Sequence, residues 1–205
     1  MDINEKIKKR YNRISSIYGA MDRMIKAEWR QSLLSNVSGK VLEVGIGTGS
    51  NLNFYSKDIH SLKGVDFSKG MLRHAEEKIA KGNFPFPIEI MEEDVQALPF
   101  ADNSFDSVVS TCVFCSVPDP LDGLKELRRV CKPTGRIFML EHMRSENKLM
   151  GIMMDMLNPV TVNLWGANIN RETIKNISHS GLKVEENTLL MGSIMRELVV
   201  RPNKE

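Results

Sequence analysis

The segment Lys40-Val-Leu-Glu43-Val-Gly45-Ile-Gly47-Thr-Gly49 joins an apolar run to three glycines at alternating positions. The apolar run predicts a buried strand over residues 40–45. The glycines predict a sharp turn, because glycine adopts backbone conformations that a side chain forbids and lets the backbone approach a ligand closely. A strand that ends in such a turn is typical of open α/β sheets, which bind ligands at the carboxyl ends of their strands.

The rest of the chain alternates apolar runs with amphipathic segments, a pattern typical of βαβ units around a parallel sheet. Further strands are predicted at 62–66, 87–92, 105–111 and 135–141, the last after a turn at 133–135, and helices near 49–56, 68–81, 119–131 and 146–157. Two final strands, 182–190 and 194–201, flank Met191-Gly192-Ser193, which predicts an antiparallel hairpin. The predicted fold class is therefore α/β, with a doubly wound, seven-stranded, mostly parallel sheet that ends in this hairpin.

Several residues mark where the predicted helices begin and end. Ser68 is a predicted N-cap, and Asp119 before Pro120 predicts a second cap followed by proline at the first helical position. Gly82 is expected just past the end of one helix. Asn170 is the predicted cap of another helix, which runs to Ser180 with Gly181 just beyond it.

The composition of the chain predicts one globular domain and locates its charge. The chain has 205 residues, 41% of them hydrophobic and 26% charged, with a net charge of +2. Residues 1–30 contain eight Lys and Arg against four Asp and Glu, so the positive excess is N-terminal. We divide the chain into a helical lid, 1–36, and one domain, 37–205. With three cysteines, no signal peptide and no 18-residue apolar run, the sequence predicts a cytoplasmic protein.

The N-terminal segment carries an apolar stripe at helical spacing. The stripe is formed by Ile3, Ile7, Tyr11, Ile14, Tyr18, Met21 and Ile25, with several Lys and Arg residues beside it. One interpretation is a lid helix that packs over the ligand site. A second is a lid that also makes peripheral contact with an anionic membrane, as basic amphipathic helices do. The sequence leaves both open.

The residues around the glycine turn indicate which ligand it accepts. The spacing is GxGxG, because Ser50 stands where the dinucleotide pattern GxGxxG needs its third glycine. Glu43 precedes Gly45 by two residues, where its carboxylate would repel a phosphate. Asp66 ends the second strand and can accept both hydroxyls of a ribose. A ribose, a cation and no phosphate are the features of S-adenosylmethionine.

With these motifs in order, the sequence resembles the class I S-adenosylmethionine-dependent methyltransferases of the type 11 group, which have a Rossmann-like fold. Residues 43–49 look like the first motif of that family, Asp66 like its ribose-binding acid, and Glu93-Asp94-Val95-Gln96 like its adenine-binding turn. The resemblance implies S-adenosyl-L-methionine as the cofactor. The cofactor-binding residues that it implies are Tyr11, Tyr18, Glu43, Gly45, Gly47, Gly49, Asp66, Phe67, Ser68, Met71, Asp94, Val95, Gln96, Thr111 and Cys112.

Three groups within this class share further features with the sequence. The motif from Tyr11 to Tyr18 resembles ubiquinone/menaquinone C-methyltransferases and bacterial phosphatidylethanolamine N-methyltransferases. Residues 111–117 with Glu141-His142-Met143 are similar to microsomal thiol S-methyltransferases. The resemblance implies a small apolar or amphipathic acceptor, namely a thiol, a lipid amine or a quinol. The alternative is a protein that senses S-adenosylmethionine or has lost catalysis.

The catalytic candidates follow from the position of the strands. His142, after the fifth strand, can act as a base near neutral pH, and a structural role is its alternative. Tyr18 is the second candidate. Residues 111–114 lack the amide or carboxylate with which methyltransferases hold a base amine, so we expect no nucleic-acid partner. Cys112 and Cys115 form a lone CxxC without a second pair, so no metal site is predicted.

Residues 149–157 form an unusually methionine-rich segment. Five of the thirteen methionines of the chain lie within residues 143–156. Methionine fills irregular apolar space and adapts to ligands of varied shape. An ordinary core helix and the wall of an apolar substrate pocket are equally compatible with this sequence.

Overall fold

The computed structural model describes residues 7–9, 11–12, 22 and 25–204 and contains one seven-stranded sheet. The strands, in chain order, are β1 (Gly39–Val44), β2 (Ile59–Asp66), β3 (Ile88–Glu92), β4 (Phe105–Thr111), β5 (Cys131–His142), β6 (Lys183–Met191) and β7 (Met195–Arg201). Their order in the sheet is β3-β2-β1-β4-β5-β7-β6. Strands β1 to β5 are parallel, whereas β7 runs antiparallel to both β5 and β6. The predicted fold class and the C-terminal hairpin are confirmed.

Helices cover both faces of the sheet. They are α1 (Ala27–Ser35), α2 (Lys69–Lys81), α3 (Pro120–Val130), α4 (Lys148–Trp165) and α5 (Thr173–His179). Helices α1 and α2 contribute to the core cluster on one face, and α3 and α5 contribute to the cluster on the other. The central strands β1 and β4 carry fully buried Val and Leu side chains toward both clusters, as expected for parallel strands with two covered faces.

The helix boundaries follow the predicted capping residues in most cases. The Ser68 side chain accepts a hydrogen bond from the Met71 amide, and Asp119 accepts from two amides at the start of α3. Gly82 caps the C-terminus of α2. The predicted cap at Asn170 is wrong, because α5 begins after Glu172. The side-chain amide of Asn170 donates instead to the Asp155 carboxylate.

Three predicted segments differ in the structure. The helix near 49–56 is only a single 3-10 turn, Leu52–Phe54, because the preceding glycines have positive φ and the Asn51 side chain bonds elsewhere. The helix predicted at 146–157 continues past Pro159 to Trp165, where Gly166 ends it at φ 78°. Residues 133–135 do not form a separate turn but lie within β5, at an irregularity in its pairing with β4.

In the part of the chain that the structure describes, no helix combines the length and apolar character needed to cross a bilayer.

Candidate functional site

A deep crevice opens at the carboxyl ends of β1, β2 and β4, with an empty volume of about 900 Å³ that includes its open mouth. This is the place where open α/β sheets bind ligands. Most of the predicted cofactor-binding residues line it. They are Tyr11, Glu43, Gly45, Gly47, Asp66, Phe67, Met71, Asp94, Val95, Gln96, Thr111 and Cys112.

The glycine turn forms the floor of the crevice. Gly45 and Gly47 have φ values of 63° and 57°, in the left-handed region that favours glycine. A Cβ on Gly45 would collide with the side chain of Val113. A Cβ on Gly47 would meet nothing closer than 3.8 Å, so this position requires glycine for its backbone conformation and leaves open space above it.

Asp66 lies at the end of β2 beside this floor and is 8% exposed. Its Oδ2 accepts a hydrogen bond from the Gly47 amide at 3.0 Å, and its Oδ1 accepts from the Ser68 amide at 2.9 Å. These amides fix the carboxylate but leave each oxygen with capacity for a second donor. Burial raises the pKa of Asp66 to about 6, against the lowering effect of the two amides.

Asp94 and Gln96 form the turn after β3. The Asp94 carboxylate accepts from the Gln96 amide at 2.9 Å and from the Gln96 side chain at 3.0 Å. The side-chain oxygen of Gln96 accepts in turn from the Asp119 amide, at the start of α3. The loop is therefore held in place by these hydrogen bonds, and Asp94 lines the crevice beyond the end of β3.

Glu43 lies at the opposite end of the floor and is 2% exposed. Its Oε1 accepts from the Asn51 side chain at 2.8 Å, and its Oε2 accepts from the Tyr55 hydroxyl at 2.8 Å. Burial raises the pKa of Glu43 to about 7. Both carboxylate oxygens of Glu43 therefore accept hydrogen bonds from within the protein. Glu43 lines the crevice and also fixes the position of the Asn51 side chain.

Asn51 links Glu43 to a buried ion pair that the sequence analysis did not identify. Its side-chain oxygen accepts from Arg30, and its amide also donates to Thr111 Oγ1 at 3.0 Å. Arg30 is 4% exposed, donates to Asp22 at 2.5 Å, and lines the crevice together with Asp22. This end of the crevice therefore presents the Arg30–Asp22 ion pair beside the Glu43 carboxyl group.

The described N-terminal residues lie across the crevice. The Tyr11 hydroxyl is hydrogen bonded to Ser116 Oγ at 2.5 Å, and its ring packs edge-on against Phe67 with 5.6 Å between centroids. Burial raises the pKa of Tyr11 well above its usual range. Asn12 Oδ1 accepts from Ser68 Oγ and from the Gly70 amide, both at 2.8 Å. These contacts bring the N-terminal segment to the glycine turn and to the loop after β4.

The loop after β4 is shaped by Cys112 and by a buried acid beneath it. Cys112 has φ 54°, and its amide donates to the Leu140 carbonyl at 2.8 Å. Glu141 is completely buried, and its Oε1 accepts from Ser110 Oγ at 2.5 Å and from the Val113 amide at 3.2 Å. Among the residues that the structure describes, none is hydrogen bonded to its Oε2, and burial raises the pKa of Glu141 to about 7.

The thiols of this loop are poor nucleophiles. Burial raises the pKa of Cys112, with the nearby Glu141 carboxyl as a second cause, and burial raises the pKa of Cys115 to about 12. A protonated thiol attacks slowly, because the thiolate is the nucleophile. Within residues 7–9, 11–12, 22 and 25–204, no group of His, Cys, Asp or Glu is arranged to hold a metal ion.

The remaining predicted site residues lie outside the crevice lining or outside the described residues. Gly49 (φ 70°) supports the turn, since a Cβ there would lie 2.7 Å from Leu52. Ser68 is fully buried as a helix cap. His142 is half-buried at the end of β5 opposite Met195, and burial lowers its pKa. Tyr18 lies outside the described residues.

Sequence reasoning missed Arg30, Asn51 and Ser116. Arg30 and Asn51 are 21 residues apart, and Ser116 meets Tyr11 across 105 residues of chain. Their types are common in loops and helices, and only the folded chain brings them together. No local pattern distinguishes these residues in the sequence, whereas the burial of a charged side chain at Arg30 marks it in the folded structure.

Comparison with known proteins agrees with this architecture. Residues 42–139 match the family described as a methyltransferase domain. The chain is 38% identical over 104 residues to a phosphatidylethanolamine N-methyltransferase of Cereibacter sphaeroides, covering 51% of each protein. It is 33% identical over 148 residues to a ubiquinone/menaquinone biosynthesis C-methyltransferase of Geotalea uraniireducens, covering 67% of this chain and 63% of that protein. The chain thus spans between half and two thirds of the length of these relatives.

A solved structure shows the same fold. It is a chain from the complex between the Haloferax volcanii Trm112 methyltransferase activator and its methyltransferase, with a TM-score of 0.72 and 17% sequence identity. The match covers 97% of this chain and 98% of that chain. At this identity the likeness concerns the fold alone.

Proposed function

Because residues 42–139 belong to the methyltransferase-domain family, we propose that the chain is an S-adenosylmethionine-dependent methyltransferase acting on a small apolar or amphipathic acceptor. The proposal rests on the environment of Asp66. Two backbone amides fix this buried carboxylate at the wall of a deep crevice, and each of its oxygens can accept one more hydrogen bond. Two vicinal ribose hydroxyls are the donors that suit it.

The other ends of the crevice suit the remaining parts of the cofactor. The Asp94–Gln96 turn supplies an acceptor for the adenine amino group, and the open space at Gly47 accommodates a close approach. The amino-acid end of the cofactor carries one carboxylate and one ammonium group. Arg30 and Asp22 supply one charge of each sign, and Asn51 lies between Arg30 and Glu43.

When bound, S-adenosylmethionine supplies an electrophilic methyl group on a sulfonium cation. The protein then has to position the acceptor and exclude water. We assign exclusion of water to the N-terminal lid, residues 1–36, whose Tyr11 lines the crevice. His142 is the candidate base for an acceptor that starts protonated, such as a lipid ammonium or a quinol.

The acceptor class rests on the relatives. A phosphatidylethanolamine N-methyltransferase and a ubiquinone/menaquinone C-methyltransferase are named for a lipid amine and for quinones. Both kinds of acceptor combine an apolar body with a nucleophilic atom. The basic N-terminal segment is suited to peripheral contact with the anionic membrane in which such acceptors reside.

Transfer of a tritiated methyl group from labelled cofactor to a panel of thiols, lipid amines and quinols tests the proposal. We expect one class to be labelled by the wild-type protein and none by Asp66→Ala. Tight cofactor binding with no transfer to any member would favour the sensor alternative. Absence of cofactor binding by the folded wild-type protein would contradict both functions.

A further inference from the structure

Helix α4 is attached to the protein through its polar side chains. Arg144 donates to Asp155 with 2.8 Å between Nη2 and Oδ2, and Asn170 donates to the same carboxylate at 3.1 Å. Asn158 Oδ1 accepts from the Ile169 amide at 2.9 Å. Gly151 leaves room for Arg144, because a Cβ there would lie 2.7 Å from its guanidinium group. The polar face of this helix is therefore directed toward the protein.

The opposite face of α4 is apolar and exposed. Met156 is 76% exposed and Leu149 is 81% exposed, whereas Met154, on the inner side, is 5% exposed. The exposed apolar side chains of the helix are Leu149, Met150, Ile152, Met153, Met156, Leu157, Val160 and Leu164. At about 100° per residue they span an arc roughly 160° wide, over a length of about 25 Å. Asn163 is the polar exception within the arc.

The apolar surface continues onto the C-terminal hairpin. An open groove runs between the two elements, lined by Leu149, Met150 and Met153 of α4 and by residues 192–194 at the hairpin tip. Leu189 and Met191 in β6 are 54% and 50% exposed. We call the eight side chains of α4 together with Leu189 and Met191 the α4 surface. Soluble monomers rarely expose a contiguous apolar patch larger than a few hundred Å².

We propose that the α4 surface docks on a lipid bilayer, with the helix parallel to the membrane plane. A partner helix covers a stripe about 100° wide, so a second copy packed helix to helix would leave much of this arc in water. A bilayer interface covers the whole convex face at once, and the protein itself provides the polar side that interfacial helices normally carry. The eight outward side chains of α4 are uncharged. Docking is therefore stabilised mainly by burial of apolar area and not by attraction to anionic lipid.

The α4 surface is connected to the crevice. The Asn158 side chain donates to Asn168, and the amide of Asn168 donates to the Cys115 carbonyl at 2.7 Å. Arg171 donates to the Val117 carbonyl at 2.6 Å. Ser116 and Val117, within that loop, line the crevice. Docking through α4 would place this side of the crevice near the bilayer, where a lipid-like acceptor could reach it. This role in acceptor access rests on the proposed function, whereas docking itself does not.

Flotation of the full chain with vesicles tests the docking. We expect wild-type protein to float with zwitterionic phosphatidylcholine vesicles and to remain bound at about 0.5 M salt, where electrostatic attraction is largely screened. Leu149→Glu combined with Met156→Glu should reduce the bound fraction at least tenfold. The matched control is Gln31→Glu combined with Ala80→Glu, which adds the same charge at exposed positions outside the α4 surface. It should float like the wild type.

Two outcomes would overturn the proposal. Binding to anionic vesicles alone, with release by salt, would assign membrane contact to the basic N-terminal segment. A wild-type dimer that fails to float, and that Leu149→Glu with Met156→Glu converts to a monomer in analytical ultracentrifugation, would assign the α4 surface to a second copy of the chain. The flotation needs no cofactor, so Asp66→Ala should float like the wild type. Failure of docking is thereby distinguished from failure of the proposed function.

Discussion

The carboxyl groups of Glu43 and Asp66 in the crevice, and of Glu141 beneath it, are withdrawn from water, whereas the Leu149 and Met156 side chains of α4 are exposed to water. Burial of a carboxylate and exposure of large apolar side chains are each unfavourable for folding alone. The first is offset by hydrogen bonds from Asn51, Tyr55, Ser110 and backbone amides. For the second, the described part of the chain provides no covering element. The difference indicates that the crevice is built for a polar ligand that enters it and α4 for an apolar environment that covers it.

The largest effect is expected for Asp66→Ala, which removes one of the buried carboxylates of the crevice. Loss of a buried acceptor for two hydroxyls, each worth about 1.5–3 kcal/mol, should weaken cofactor binding on the order of 10²- to 10⁴-fold. Calorimetric titration with S-adenosylmethionine measures it. Asp58→Ala removes an exposed carboxylate with the same chemistry and should leave the affinity unchanged. Equal affinities for Asp66→Ala and the wild type would refute the ribose contact.

The next effect concerns His142, which lies at the end of β5 opposite Met195 of β7. If proton transfer limits the rate, His142→Ala should lower kcat by roughly 10²-fold with little change in cofactor affinity. Burial lowers the pKa of His142, so the imidazole is neutral and able to accept a proton at pH 7. Steady-state kinetics on the acceptor identified by methyl transfer give the answer. Wild-type turnover in the variant would leave His142 a structural role.

The buried carboxyls make stability depend on pH. Burial raises the pKa of Glu43 and Glu141 to about 7 and that of Asp66 to about 6. The folded state therefore binds more protons than the unfolded chain between about pH 4 and 7, and the stability present below this range is lost as the pH rises through it. Denaturant unfolding at pH 5 and pH 8 should show the protein more stable at pH 5.

Replacement of Glu141 by glutamine isolates one of these contributions. Glutamine stays neutral, so Glu141→Gln should raise the free energy of unfolding at pH 8, on the order of 2–3 kcal/mol, and change it by less than about 1 kcal/mol at pH 5. Glu186→Gln, at an exposed position, is the control and should change neither value. A Glu141→Gln protein that is destabilised at pH 8 would show that the carboxylate, rather than the acid, is the form the fold requires.

The smallest effect is expected on the outer face of α4. Met156→Gln should change the free energy of unfolding by less than about 0.5 kcal/mol, because the side chain is already 76% exposed. Met139→Gln makes the same chemical change at a fully buried position in β5 and should cost several kcal/mol. Thermal unfolding of both variants measures the contrast. Similar losses in the two proteins would mean that α4 is covered within the chain.

The comparison also shows what sequence reasoning could and could not predict. The strands, the glycine turn and the caps at Ser68 and Asp119 were predictable, because each depends on local pattern or on a short-range hydrogen bond. The Arg30–Asn51–Glu43 network was not, since it joins a helix, a loop and a strand. The core-helix interpretation of residues 149–157 is wrong for most of their side chains, because helical periodicity shows that a face is apolar but not which way it points.

The crystal structure of the protein with S-adenosylhomocysteine bound tests the central claim most directly. The account predicts the ribose hydroxyls on the Asp66 carboxylate, the adenine beside Asp94 and Gln96, and the amino-acid end toward Arg30. A nucleoside that binds in the crevice without contact to Asp66, or that binds elsewhere on the protein, would contradict it.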